Sequence, residues 1–562
     1  MTASLTRAVV ELDGRRVHYR AGGSGPPVLL LHQSPQASSA CVPLAELLLA
    51  DHSVVLPDTP GFGMSTPLPG DDAPTIQRFA DALAEFCEAL ALPPAAVVGT
   101  HTGAQIALEF ALRHPQRVTQ VIFDGLPLFN AAEREEILSA YLHPFVPHWD
   151  GSHLTWLWMR LREQTIFFPW FKTALAARLD YSLPGPEVLH EWVMDFMYAG
   201  NGYRGGYGAA FTYTGSEAVA ALTMPATCLY REREPLATHA ERLPPLPDNV
   251  ELVHSEFALD ATRERIAALL RSGRGAGANW APASAVLAPA PVQQFISAGP
   301  TQLACRYLDG PPDITVLALH DTGSASERLL ERWGALAGHA RMLVPDLPGH
   351  GESAPIPGSS DPIAFQVTAL GALLDAAGLE RCVVLGSGSS SALAAELARA
   401  EPERVAGLIL HGPFLLPAER RLELAQRYAP AVAPDPTGNY LHALWQALRD
   451  DRLFWPWFEP WRENIRWREP QVDPEEIHAA LFDVLRVGQD YARLTREAFD
   501  YDVVPVLAEL AVPVQISADQ DQPWCGDLEA ALPAGHGYDV AVELDDAALE
   551  ARAAALLQQL TR

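Results

Sequence analysis

Two short turns carry the residue types with most chemical potential. Gly99-Thr100-His101-Thr102-Gly103 follows an apolar run and precedes a helical pattern. It sets a histidine at a helix N-terminus, where the peptide dipoles present partial positive charge. That field disfavours an imidazolium. His101 is therefore expected as a neutral ring, able to accept a proton or donate a hydrogen bond. A second turn, Gly386-Ser387-Gly388-Ser389-Ser390, has a glycine at the corresponding place. Carboxylates close two further apolar runs, Asp124 after VTQVIF and Glu234 just past ATCLYR. His32 and His320 each end a strand-like run, VLLLH and VLALH, and are expected to bond local backbone. Asp58 and Asp346 sit in P-D-x-P-G-x-G turns, where an aspartate commonly holds its own loop.

These matches share one register. His32 and His320 lie 288 residues apart, as do Asp58 and Asp346. The two turns, RHPQRVTQVIFDG with RAEPERVAGLILHG, and Leu157-Trp158 with Leu444-Trp445 repeat at 287. So many matches at one spacing mean a duplication. Between the halves, residues 273–294 are rich in Ala, Pro and Gly and read as a linker. The expected domains are 1–272 and 295–562. In each, buried-strand runs alternate with helical patterns; Ala104, Ala107, Leu108 and Ala111 keep one helix face. That alternation predicts an α/β fold, a mostly parallel sheet with flanking helices. Aromatic-rich helical inserts span about 130–222 and 415–508. They hold ten of the thirteen tryptophans, expected mainly as helix core with some lining an apolar pocket. Four glycines between Tyr198 and Tyr207 predict a flexible stretch in the first insert.

H-x-x-P after one strand, D-x-P-G-x-G-x-S after the next, and a strand–turn–helix with small residues at its apex resemble the α/β-hydrolase fold. The resemblance covers nearly the whole chain twice, with the helical inserts where that family carries its cap. It implies a nucleophile elbow, G-x-S-x-G, at each of the two turns. The nucleophile position holds His101 in one half and Gly388 in the other. The backbone N–H groups of Gln33 and Thr102 are implied as the oxyanion hole. The family's acid is implied at Glu234, or at Asp124 one strand earlier. In the second half Asp521 or Asp519 takes the acid position, and His411 replaces Asp124. Neither half shows a histidine in the loop after the last strand; His254 falls within that strand and His536 before it. The run from His32 to Ser39 resembles the H-G-x-P-x-S-S loop of haloalkane dehalogenases and epoxide hydrolases. There Ser34 takes a place that helps bind the leaving group.

Composition bounds the partners. Forty Lys and Arg against 69 Asp and Glu give a net charge of −29, which argues against nucleic acid or an anionic membrane. Six scattered cysteines, with no C-x-x-C pair, fit neither a zinc knuckle nor a disulfide scaffold. No dinucleotide fingerprint or P-loop is present, so no cofactor and no metal is expected. Without a secretory signal or a membrane-length apolar run, a soluble cytoplasmic protein is expected. The expected partner is a small molecule. The two halves are expected to act as an intramolecular pseudo-dimer, with further oligomerisation left open. The leading expectation is a cofactor-free hydrolase or lyase for a small, largely apolar carbonyl compound. His101 would be the base, aided by Asp124 or Glu234 and by Ser34, with the second half catalytically degenerate. The alternatives are a non-catalytic small-molecule binder or sensor, and an ordinary hydrolase with Ser34 as an off-motif nucleophile.

Overall fold

A computed structural model describes residues 4–12, 14–70, 73–272, 278–282, 290–519, 528–532, 537–542 and 546–560. The chain divides into two compact units, Met1–Val146 with Thr155–Ser284, and Pro147–Leu154 with Ala285–Arg562. The first contains strands β1 (Thr6–Leu12), β2 (Arg15–Gly23), β3 (Pro27–Leu31), β4 (Ser53–Pro57), β5 (Ala95–Thr100), β6 (Val118–Asp124), β7 (Ala226–Arg231) and β8 (Val250–Ser255). They form one sheet in the order β1-β2-β4-β3-β5-β6-β7-β8. β1, β2 and β4 pair antiparallel, and every pair from β4 through β3 to β8 is parallel.

The second unit repeats this order. Its strands are β9 (Ala290–Ala298), β10 (Thr301–Leu308), β11 (Thr315–Leu319), β12 (Arg341–Pro345), β13 (Cys382–Ser387), β14 (Val405–His411), β15 (Val514–Ala518) and β16 (Asp539–Val542). They lie in the order β9-β10-β12-β11-β13-β14-β15-β16. β9 begins inside the segment expected as linker, and most of the rest of that segment lies outside the described residues.

The central strands are apolar without alternation because helices cover both faces. Successive residues of β3 feed opposite cores. Leu29 and Leu31 join Val97, Val121 and Phe123 on one side of the sheet. Val28 and Leu30 join Val54, Val98 and Ile122 on the other. The helix Thr102–Arg113 runs against this sheet and is buried from Thr102 through Ala111. Its close approach needs glycine: a Cβ on Gly103 would strike the carbonyl oxygen of Leu31, and one on Gly99 the carbonyl of Gly103.

Helical inserts join β6 to β7 and β14 to β15. The first includes the helices Pro186–Ala199 and Tyr203–Thr212, and the second includes Ala418–Arg427 and Asn439–Asp451. The tryptophans split: Trp158 and Trp445 are buried, whereas Trp149, Trp461 and Trp467 are exposed. The glycine-rich stretch expected to be flexible is instead largely helical. Its glycines serve close packing, since a Cβ on Gly206 would lie 2.9 Å from Ser34 Oγ and would run into the Phe62 ring.

Candidate active site

The site of the first domain is built at the C-terminal edge of β5, β6 and β7. His101 lies between β5 and its helix at φ 48° and ψ −106°. A side chain there is strained, by about 1–3 kcal/mol for such a conformation. The strain is held in place by its surroundings. His101 N–H donates to the Asp124 carbonyl at 3.0 Å, and its carbonyl accepts from Ala104 at 2.9 Å. The apex therefore presents a side chain from the tight turn expected of a nucleophile elbow, with imidazole in place of a hydroxyl.

Nε2 of His101 lies 3.5 Å from Glu234 Oε2, in the loop after β7. The ring side chain is 26% exposed and that of Glu234 is 1% exposed. Nε2 itself is buried, so the exposed part of the ring lies elsewhere, which leaves Nδ1 as the nitrogen for a substrate. Gly125 makes room for this pair, because a Cβ there would come within 2.7 Å of the ring and 2.8 Å of Glu234 Oε1.

Arg231, the last residue of β7, was not singled out by sequence reasoning. Its Nη2 lies 2.7 Å from Glu234 Oε2 and its Nε 3.5 Å from Asp124 Oδ1. One guanidinium thus sits between two buried carboxylates. Asp124 also receives a 3.4 Å hydrogen bond from the Thr100 hydroxyl. Burial pushes Asp124 above the usual carboxylate range; the charge of Arg231 pulls it down and that of Glu234 pushes it up. Burial also pushes Glu234 up, but the neighbouring His101 ring and the Arg231 guanidinium outweigh it and hold Glu234 low. The two candidate acids are therefore distinct: Glu234 meets the ring, and Asp124 stands beyond Arg231. An arginine closing an apolar run reads as a strand end, so only its place beside Glu234 hinted at this role.

Thr102 is the first residue of its helix, so its N–H has no intrahelical acceptor. Neither it nor the N–H of Gln33 donates to another described residue. The Gln33 amide side chain bonds Gln36 at 2.8 Å. Ser34 is buried beneath Gly206, and its neighbour His32 is already committed. His32 Nδ1 bonds the Gln33 carbonyl at 3.0 Å and Nε2 accepts the Thr59 N–H at 2.9 Å. His320 repeats both bonds, to the Asp321 carbonyl at 2.8 Å and from Leu347 N–H at 2.9 Å. Asp58 and Asp346 anchor their loops, accepting backbone N–H groups from Ser38 and Met64, and from Ser326 and Glu352. His254 is exposed on β8, and Phe257 occupies the loop that follows. His536 and Asp521 lie outside the described residues.

The second domain keeps the turn and changes its contents. Gly388 sits at φ +59°. Where the first domain has Gly103, Ser390 bonds its hydroxyl to the Leu319 carbonyl at 2.7 Å, turning a would-be clash into a contact. Asp321 stands at the place of Gln33. Its Oδ1 accepts the backbone N–H groups of Thr322 at 2.8 Å and Ser389 at 2.9 Å, and also the Ser389 hydroxyl. The donor at the place of Thr102 is thus already taken by a carboxyl oxygen, in a group that burial pushes above the usual carboxylate range. His411, at the place of Asp124, is buried with Nε2 3.5 Å from Asp519 Oδ2, and Asp519 also pairs with Arg332 at 2.6 Å. Among the described residues, no group of three His, Cys, Asp or Glu side chains converges as a metal site in either half. No helix there is long and apolar enough to cross a membrane.

A family model for the alpha/beta hydrolase fold matches residues 26–156 and 328–486. A 2-hydroxy-6-oxo-6-phenylhexa-2,4-dienoate hydrolase from Burkholderia cepacia is 33% identical over 135 residues, 22% of this chain and 47% of that protein. A soluble epoxide hydrolase from a Corynebacterium species is 30% identical over 202 residues, 34% of this chain and 68% of that protein. The chain spans about half the length of the first curated relatives it matches. Among solved structures, epoxide hydrolase A from Mycobacterium thermoresistibile aligns at 19% identity and a TM-score of 0.36, covering 49% of this chain and 99% of that one. Both segments matched by the family model fall on the repeated sheet order, one in each half, and the chain belongs to the α/β-hydrolase family as a tandem duplication of its fold.

Proposed function

We propose that the first domain is a cofactor-free enzyme in which His101 acts as general base from the position of the family nucleophile. The observation that carries this reading is the strained imidazole aimed at a buried carboxylate. Glycine at the same turn of the second domain supports reading the strain at His101 as kept for its side chain. Glu234 would orient the ring through Nε2–H and stabilise the imidazolium formed when Nδ1 takes a proton. The N–H groups of Gln33 and Thr102 face no competing acceptor and suit an oxyanion.

Such a constellation serves two reactions on a small, largely apolar carbonyl compound. In hydrolysis, Nδ1 takes a proton from water, the hydroxide adds to the acyl carbon, and the oxyanion collapses to expel a leaving group that takes the proton back. In a lyase reaction, Nδ1 removes a proton beside the carbonyl, the same N–H groups hold the enolate oxygen, and the enolate collapses to a double bond by expelling a leaving group on the β-carbon, which takes the proton back from the ring. Hydrolytic relatives favour the first. The test is turnover across esters, lactones and diketones by the wild type, His101→Ala and Glu234→Gln. Loss in both variants with the fold intact supports the reading; full activity of His101→Ala overturns it. The Ser34 alternative predicts labelling by a serine-directed fluorophosphonate, which the His101 reading does not. The binder alternative draws its support from the second domain, whose turn has lost the side chain.

A further inference from the structure

The second domain holds a cavity of about 370 Å³ above its glycine apex. Its floor is Gly388, Ser389 and Asp321, and one wall is aromatic, with Phe414, Tyr428, Trp455 and Phe499. Phe414 and Phe499 stack at 4.6 Å, and Tyr428 meets Phe499 edge-on at 5.0 Å. The size suits a compact organic molecule.

The charges around this cavity are unequal in their commitments. Its acidic and basic lining is Asp321, Arg328, Asp451, Arg452, Arg466 and Asp483. Each of the three carboxylates is engaged. Asp321 holds Thr322 and Ser389. Asp451 accepts the Tyr428 hydroxyl at 2.6 Å and lies 3.8 Å from Arg466. Asp483 takes Arg328 at 2.9 Å and also pairs with Arg486. Arg328 and Arg466 are therefore paired. Among the described residues, no carboxylate or other acceptor meets the guanidinium of Arg452. Burial and the nearby charges of Arg328, Arg468 and Arg466 pull Arg452 below the ordinary arginine value, against Asp451. An anion beside it would relieve that imbalance.

We propose that this cavity binds a small organic carboxylate, its carboxylate held by Arg452 and its apolar body against Phe414, Tyr428, Trp455 and Phe499. A planar guanidinium grips a carboxylate through two parallel hydrogen bonds. The site does no acyl chemistry of its own, since the apex lacks a nucleophile or base and Asp321 already occupies the Ser389 donor. It is a ligand-binding domain on a hydrolase scaffold, and it stands whether or not His101 is catalytic.

Calorimetric titration of the full chain tests this with phenylacetate, 4-phenylbutyrate and octanoate, each beside its neutral amide. At least one carboxylate is expected to bind saturably, about tenfold or more tighter than its amide. Arg452→Gln should remove that preference and Arg452→Lys should keep part of it. Ala447→Phe, which fills the cavity from its wall, should abolish binding of acid and amide alike. Circular dichroism checks each variant's fold, and the Arg452 pair reports even where Ala447→Phe misfolds. No binding by any of the three carboxylates, equal binding of acid and amide, or a preference that survives Arg452→Gln would each overturn the proposal.

Discussion

The two turns started from one template and met opposite fates. At the first, a histidine side chain is kept at φ 48° and set against Glu234. At the second, a glycine relaxes the apex, Asp321 captures the neighbouring N–H groups, and a cavity opens above. Their lids differ in the same sense. In the first, Arg160 is buried among Tyr141, Trp170, Phe196 and Tyr207, with its guanidinium 5.0 Å from the Tyr141 ring centre. In the repeat register its place is taken by Ala447, which lines the cavity. Large groups fill one lid where small ones leave room in the other. The comparison teaches that one turn geometry can carry a strained, paired side chain in one half and leave open space above it in the other.

The largest effect that could break this comparison is on turnover. His101→Ala should lower kcat by about 10²–10⁴-fold, the range for a lost general base. Arg452→Gln in the other half should leave kcat unchanged on the same substrate. If both fall together, the halves do not divide the work as argued. Gly388→Ala is a poor control, because a Cβ there would collide with the Asp321 carboxylate.

Next in size is Arg231→Met. It leaves Glu234 and Asp124 buried without their shared cation, and should cost about 3–5 kcal/mol in denaturant unfolding. Arg332→Met in the second half breaks a more exposed pair, with side chains 31% and 27% accessible, and should cost much less, about 1 kcal/mol. Equal losses would mean that the deeper burial of the Arg231 pairs adds nothing to what they contribute.

A pH experiment sharpens the comparison further. Asp195, in the first lid, is buried, accepts the Ser39 hydroxyl at 3.2 Å, and is pushed up to about 7, chiefly by burial. Its folded-state value exceeds its unfolded one, so the native state binds the extra proton between about pH 4 and 7. Stability from this group is present below that window and falls as pH rises through it, by at most about 1.4 kcal/mol per pH unit. Asp195→Asn should flatten that slope in thermal melts, and an unchanged slope would assign it to other groups. The smallest effect concerns strain. His101→Gly should be more stable than His101→Ala by about 1 kcal/mol while equally inactive, because only glycine accepts that φ freely. No difference would mean the turn is not strained.

Much of this was legible beforehand, for particular reasons. β3 to β7 are continuous apolar runs bounded by turn residues, so they stand out, and their repetition at one spacing exposes the duplication. β9 does not, because its alanine and proline content resembles the linker it adjoins. His101 and Glu234 were found by their places at strand ends. Their approach depends on Gly125, whose lack of a side chain matters only once the strands are side by side. Arg231 looked like an ordinary charged strand terminus. Asp321 was hidden most completely, since it meets Ser389 across 68 residues of chain and local pattern does not report such contacts. The exchange of Arg160 for Ala447 was present in the register all along, but its meaning needed the cavity.

The carboxylate of Asp321 also has a consequence for substitution at its turn. Any side chain restored at Gly388 runs into it, and the donor at Ser389 stays occupied until Asp321 itself changes. A side chain at Gly388 and a free Ser389 N–H both therefore wait on a change at Asp321. One carboxylate thus couples two positions of the turn, so that substitutions at Gly388 and Asp321 are expected to be non-additive, while residues of the cavity wall such as Ala447 can vary independently of them.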